Sequence, residues 1–242
     1  MNNYEFCADW VHKHAAGRPL RILDYGCGSG QIVRLLREHG LDAWGCDVFY
    51  EGGDYSPQIP MELQPYIHRM LGNAIPHSDA SFDVVLSNQV FEHVPDMEAA
   101  LIEIGRVLKA DGIAFNLFPD RGVWREGHCG IPFLHWFPKK TNARIYYTAL
   151  LRSLGLGYFT KGKTIMGWSR DFCTWLDRWT YYRSLAEIHA HFGRIIGQTR
   201  HAEEDLLHAR FDGRLDGLPR SLQRLIVRKM AGLVLVSVKK AA

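Results

Sequence analysis

Ile22-Leu23-Asp24-Tyr25-Gly26-Cys27-Gly28-Ser29-Gly30 reads as an apolar strand that runs into a glycine-rich turn, and the pattern Ile32, Leu35, Leu36 then continues it as a helix. Glycines there can take positive φ and bring the backbone within contact distance of a ligand, while the helix start offers unpaired N–H groups. The stretch is therefore expected to open a nucleotide-type cofactor site in an α/β fold. Asp24, at the carboxyl end of the strand, is expected to direct its charge into the same crevice.

Dinucleotide sites follow G-x-G-x-x-G, with pyrophosphate on the helix terminus. Position 31 is Gln, so that fingerprint fails and D-x-G-x-G-x-G stands in its place. A second strand, Leu41 to Cys46, ends in Asp47, and an acid at that tip can accept both hydroxyls of an adenosine ribose. A ribose without a diphosphate is expected.

The combination resembles motif I and the following acid of class I S-adenosylmethionine-dependent methyltransferases, of the small-molecule type close to methyltransferase groups 11 and 23. Three further stretches extend the likeness over residues 20–118. Residues 72–85, ending in Phe82-Asp83-Val84-Val85, look like the third-strand segment whose loop reaches the adenine. Residues 86–94, with Glu92-His93-Val94, are similar to the end of the fourth strand, and residues 101–112 to the helix and turn before the fifth. The resemblance implies a doubly wound Rossmann-like sheet of seven strands, mostly parallel with an antiparallel last strand, and helices on both faces. It implies S-adenosylmethionine as cofactor, left as S-adenosylhomocysteine. By the same resemblance Gly26, Cys27, Gly28 and Gly30 line its methionine part, Asp24 holds its amino group, and Asp47 with Val48 takes the ribose. Asn73 and Ala74 would flank the adenine, and Asn88 and Gln89 border the sulfonium. Where the family usually has Asp, this chain has Asn73, whose amide oxygen still accepts from the adenine amino group but carries no charge.

The chain has 242 residues, 47% hydrophobic, and no low-complexity tract, enough for one principal domain with a full core. No basic-then-apolar leader opens it, and the apolar run from Ala231 to Val238 is too short to span a bilayer, so a cytoplasmic protein is expected. Cys7, Cys27, Cys46, Cys129 and Cys173 are scattered without C-x-x-C spacing, which points to reduced thiols rather than a disulfide framework or zinc site.

Phe6, Trp10, Val11 and His14 have helical spacing, suggesting a helix over residues 4–15 at the mouth of the crevice. The fifth strand is expected over Gly112 to Phe118, the sixth over Arg194 to Gln198 and the seventh over Gly232 to Val238. Between the fifth strand and the helix starting near Ser184, residues 119–180 hold five of the seven tryptophans, as an insertion where such enzymes build their acceptor site. Its aromatics suit either a stacking platform or a small secondary core. A second insertion, residues 202–230, places Arg220, Arg224 and Arg228 on one face of an amphipathic helix. That face is either a solvated surface or a contact for an anionic membrane or phosphate-bearing acceptor.

Methyl transfer from a sulfonium is an in-line displacement in which alignment matters most, worth roughly 7–11 kcal/mol of barrier. A base is needed only where the acceptor holds its proton tightly, as an alcohol does. His93, beside Glu92, and His128, in Arg125-Glu126-Gly127-His128, are the candidate bases, since imidazole titrates near ~6.5. Glu126 is the candidate to orient His128. His93 is equally read as a structural residue at a helix start, and His135, before Trp136 and Phe137, as a packed histidine. No carboxylate set for magnesium is evident, so a metal-free mechanism is expected. The acceptor is expected to be a hydroxyl of a sugar, glycolipid or other small molecule, with nucleic acid not favoured. N- or C-methylation of a small metabolite, and a cofactor-binding partner subunit without turnover, are the alternatives. Oligomeric state is not legible.

Overall fold

The computed structural model describes residues 1–158 and 162–240. In chain order the elements are α1 (Asn3–Ala15), β1 (Arg21–Tyr25), α2 (Gln31–Glu38), β2 (Asp42–Asp47), β3 (Ile67–Arg69), β4 (Phe82–Asn88), α3 (Met97–Val107) and β5 (Leu108–Phe118). They continue with α4 (Asn142–Ser153), α5 (Ile165–Trp179), α6 (Leu185–Ile195), β6 (Gly197–His201), α7 (Glu203–Phe211), α8 (Arg220–Met230) and β7 (Leu233–Lys239). The sheet order is β3-β2-β1-β4-β5-β7-β6. The first five strands pair in parallel, and β7 runs antiparallel to both β5 and β6.

Alternate side chains of the central strands feed two separate cores, which is why the strands read as unbroken apolar runs. Ile22, Val84, Leu86, Phe115, Leu117, Val234 and Val236 pack on one face against Phe6 and Val11 of α1, Val33 and Leu36 of α2, Leu206 of α7 and Val227 of α8. Leu23, Val85, Ala114, Phe118, Leu233 and Leu235 pack on the other against Leu101 and Ile104 of α3 and Ile188 and Phe192 of α6. The doubly wound, seven-stranded arrangement expected from the sequence is therefore present.

Three boundaries and one placement differ. The fifth strand starts at Leu108 rather than Gly112. The third strand is Ile67–Arg69, ahead of the 72–85 segment; three residues are too few to show a period. Arg194 and Ile195 extend α6, because Ile196 still donates to Phe192 as its C-cap, and the sixth strand starts at Gly197. α1 uses Phe6, Cys7 and Val11 to cover a sheet face, and of its residues only Tyr4 reaches the cavity described below.

The 119–180 segment folds as the antiparallel pair α4 and α5 around its own cluster of Cys129, Ile131, Leu134, Trp168, Cys173 and Leu176. Arg144, 2% exposed, is paired with Asp177 across the two helices, and Asp177 also accepts from the Lys140 N–H. Arg144→Ala would leave a nearly buried carboxylate without its cation and is expected to cost about 3 kcal/mol in chemical denaturation. A loss below about 1 kcal/mol would show that the pair contributes no more than a surface one.

In α8, Arg224 and Arg228 are turned onto Glu204 and Glu203 of α7, so two of the three arginines of the basic face serve to tie these helices together. The five cysteines are free and buried. Among the described residues no helix is long and apolar enough to cross a membrane.

Candidate active site

At the carboxyl edge of β1, β2 and β4 lies a cavity of about 480 Å³, lined by the glycine loop, the ends of β2 and β4, and the 119–180 segment. Gly26, Cys27, Gly28, Asp47, Val48, Asn73, Asn88, Gln89, His93 and His128 all stand on its wall. Gly30 does not: at φ +81° it is the N-cap of α2, and a Cβ there would fall 2.4 Å from Ile67 Cδ1. Gly28, at φ +53°, lines the cavity, and a Cβ there would meet only the Tyr55 side chain, at an ordinary contact distance of 3.7 Å. The loop thus needs one glycine for packing under the helix and another for close approach of a ligand.

Asp47 fixes this loop as well as facing the cavity. Its Oδ2 accepts from the Gly28 N–H at 2.9 Å and its Oδ1 from the Phe49 N–H at 2.8 Å. Each oxygen keeps a second lone pair, the donor set two adjacent hydroxyls require. Asp24 is 2% exposed and lies behind the wall; burial, with the nearby charge of Asp47, pushes its carboxyl well above the usual range. A ligand ammonium is the group that would reverse that shift. Asn88 Oδ1 and Gln89 Nε2 are buried polar atoms without a partner among the described residues, at the end of β4. Ala74 sits beside Asn73 in a tight turn, outside the wall, with its N–H donating to Leu71. Its expected place against an adenine is therefore limited to backbone neighbourhood.

The second half of the cavity is set by a hydrogen-bonded chain that crosses from the sheet to the inserted segment. Glu126 is fully buried and central to the 125–132 loop: its backbone pairs with Ile131 and Gly130, and its Oε2 accepts from the Cys129 N–H at 2.9 Å. Glu126 Oε1 accepts from the Tyr182 hydroxyl at 2.7 Å and meets His128 Nδ1 at 2.6 Å. Burial alone would raise Glu126, but His128, Tyr182 and the Cys129 N–H outweigh it and hold the carboxyl at about 2. His128 Nε2 lies 3.0 Å from His93 Nε2, and His93 Nδ1 is 2.7 Å from the Trp179 carbonyl. Burial lowers His93 to about 4, with the charge of His128 adding to the effect. His128 goes the other way: its own burial is outweighed by the Glu126 hydrogen bond and charge, so its pKa is raised.

His128, His93 and Glu126, far apart in the chain, are thus brought into one array. Tyr182 and Glu92 belong to it and were not singled out by sequence pattern. Glu92 is 1% exposed, both its carboxylate oxygens lack a partner among the described residues, and burial raises it to about 7. Only its adjacency to His93 gave a signal; for Tyr182 there was none. His135 is buried against the Tyr182 ring, off the cavity wall. The tryptophans divide between the two expected roles: Trp175 lines the cavity, Trp168 fills the secondary core, and Trp124 and Trp136 are exposed. Trp175 Nε1 donates to the Gly52 carbonyl at 3.1 Å, fastening α5 to the loop after β2.

A glycine loop over the sheet edge, an acid closing β2 and the order 3-2-1-4-5-7-6 define the class I S-adenosylmethionine-dependent methyltransferase fold. Residues 23–116 match the family described as methyltransferase domain. Two solved structures share the fold over nearly the whole chain. An S-adenosylmethionine dependent methyltransferase from Mesorhizobium loti has TM-score 0.53 and 17% identity, covering 98% of this chain and 100% of that one. A putative one from Listeria monocytogenes has TM-score 0.52 and 14% identity, covering 99% and 100%. Among curated relatives, a ubiquinone biosynthesis O-methyltransferase of Mesorhizobium japonicum is 29% identical over 135 residues, 52% of this chain and 54% of the relative. One of Maricaulis maris is 31% identical over 98 residues, 39% and 38%. The chain therefore spans about half the length, or less, of these curated relatives.

S-adenosylmethionine is the cofactor of the class, and the residues present fit it. Asp47 offers acceptors to hydroxyls, Gly28 a backbone that a ligand can approach closely, and Asn88 and Gln89 polar atoms that have no partner among the described residues; Asp24, behind the wall, does not reach the cavity.

Proposed function

We propose that the chain methylates a hydroxyl group of a small molecule, a sugar or glycolipid being the first choice, with His128 as proton acceptor. The observation that carries this reading is the Glu126–His128–His93 array, whose two histidines stand on the wall of the cavity that the glycine loop also lines. Bound S-adenosylmethionine supplies an electrophilic methyl group on a sulfonium. The chain supplies position and a destination for the hydroxyl proton.

Glu126, an acceptor only, requires the proton of neutral His128 on Nδ1; the Trp179 carbonyl requires the same of His93. Both Nε2 atoms then present lone pairs. A proton leaving the acceptor oxygen moves to His128 Nε2 and is shared with His93 Nε2 at 3.0 Å, while the oxygen gains the methyl group. Glu126 steadies the resulting imidazolium. Trp175 and Tyr50, beside His93, give this end of the cavity aromatic walls, which suit a sugar face or a ring. The name O-methyltransferase printed for the curated relatives supports oxygen over nitrogen or carbon as the acceptor atom.

The test is incubation with methyl-labelled S-adenosylmethionine and a cell extract, followed by fractionation. Label in free small molecules or lipid-linked glycan is expected; label confined to protein or RNA would sink the reading.

A further inference from the structure

We propose that Glu92, His93 and His128 form a binding site for one divalent transition-metal ion of the zinc type. One ligand atom from each of these residues lies within 4.8 Å of the other two; His93 and His128 stand on the cavity wall and Glu92 is buried behind it. They come from the turn after β4 and from the 125–132 loop, so only the folded chain assembles them. The inference does not rest on the methyl-transfer reading, since it concerns binding alone.

The tautomers carry the argument. A carbonyl oxygen can only accept, so His93 donates Nδ1–H to Trp179. Glu126 already accepts from Tyr182 and Cys129 and is an anion, so His128 donates Nδ1–H to it. Each imidazole is thereby fixed with the Nε2 lone pair aimed at the other, 3.0 Å away. Two lone pairs facing each other repel unless something positive lies between or beside them. A proton is one such species, and a metal ion is the other.

Three observations favour a site built for the ion. Imidazoles that bind metals nearly always donate the other ring N–H to a carboxylate or a backbone carbonyl, and here one does each. Glu92 adds a buried carboxylate with no partner on either oxygen among the described residues, a costly arrangement that a cation relieves. The spacing also fits: with metal–nitrogen bonds of about 2.0–2.1 Å, two nitrogens 3.0 Å apart subtend about 90° at the ion. Ligand atoms in such a shell lie about 3–4 Å apart, so Glu92 needs to close in slightly rather than change place. Two imidazoles and one carboxylate select zinc, cobalt, nickel or iron over magnesium. The sequence-based expectation of no metal looked for oxygen-rich clusters, and this set is not one.

Three ligands leave positions open toward the cavity, where an acceptor oxygen can sit. An ion and a shared proton use the same two Nε2 lone pairs, so each excludes the other. Occupancy is therefore to be measured on the protein itself, not through turnover.

The experiment uses the full chain, stripped with a chelator and titrated with Zn²⁺ by calorimetry, with Co²⁺ by visible absorption, and with Mg²⁺ for comparison. Expected are one equivalent of Zn²⁺ per chain, ligand-field bands for Co²⁺, and binding of Mg²⁺ at least 100-fold weaker. His128→Ala should abolish the bands. Glu126→Gln, nearly isosteric and keeping the loop, should weaken Zn²⁺ by roughly 10–100-fold through lost orientation of His128. His39→Ala tests the exposed, stacked His12 and His39 pair as an adventitious site and should change nothing. No binding, equal affinity for Mg²⁺, or binding lost in His39→Ala but kept in His128→Ala and Glu126→Gln would overturn the proposal.

Discussion

Asp47→Ala protein should bind S-adenosylhomocysteine roughly 100-fold more weakly than the native chain, since hydrogen bonds to a charged group are worth about 1.5–3 kcal/mol each. Two losses combine in this variant. The hydroxyls of the ribose lose their acceptors, and the N–H groups of Gly28 and Phe49 lose the carboxylate that holds the loop at 2.9 and 2.8 Å. Asp47→Asn keeps one acceptor oxygen and removes the charge, so its loss should be near tenfold, and the pair of variants separates the two contributions. Calorimetric titration measures both. An affinity for Asp47→Ala within threefold of the native value would remove the ribose assignment, provided circular dichroism shows both variants folded.

His128→Ala should lower kcat by about 10²- to 10⁴-fold, the usual range for a general base, while the dissociation constant for S-adenosylhomocysteine stays within a few-fold. On the proposed reading the imidazole serves the acceptor, while Asp47 and the glycine loop, elsewhere on the same wall, serve the cofactor. Glu126→Gln should follow the same pattern with a smaller drop, because an amide no longer demands the Nδ1–H tautomer of its neighbour. A His128→Ala enzyme with kcat within fivefold of native would mean the acceptor gives up no tightly held proton, which favours the nitrogen-methylating alternative. Binding of S-adenosylhomocysteine without label transfer to any extract fraction would favour the non-catalytic partner.

The cofactor half of the site was legible because its signals are local. Residues 22–30 specify strand, turn and helix within one stretch, and Asp47 is marked by the strand it ends. The acceptor half was legible residue by residue but not as an array. His93 and His128 stand 35 positions apart, and no periodicity relates a turn after β4 to a loop after β5. Tyr182 reads as one more aromatic in an aromatic-rich region, yet folding sets its hydroxyl on Glu126. Asp24 shows the opposite limit: its position at the strand end was readable, but its depth, 2% exposed, depends on everything packed around it. The face of Arg220, Arg224 and Arg228 looked free because the acids that engage two of them, Glu203 and Glu204, lie in the preceding helix. Helix-to-helix pairing is not visible to a hydrophobic period.

The helical pair α4 and α5 encloses an apolar cluster that shares no residue with either face of the sheet. Segments with their own core open and close as cooperative units of lower stability than the body they sit on. Amide hydrogens of α4 and α5 should therefore exchange together and sooner than those of β1 and β4, with Arg144→Ala hastening the pair alone. If so, the wall that greets the acceptor is a replaceable module, and substitutions inside it can redirect which molecule enters while the sheet and the glycine turn stay as they are.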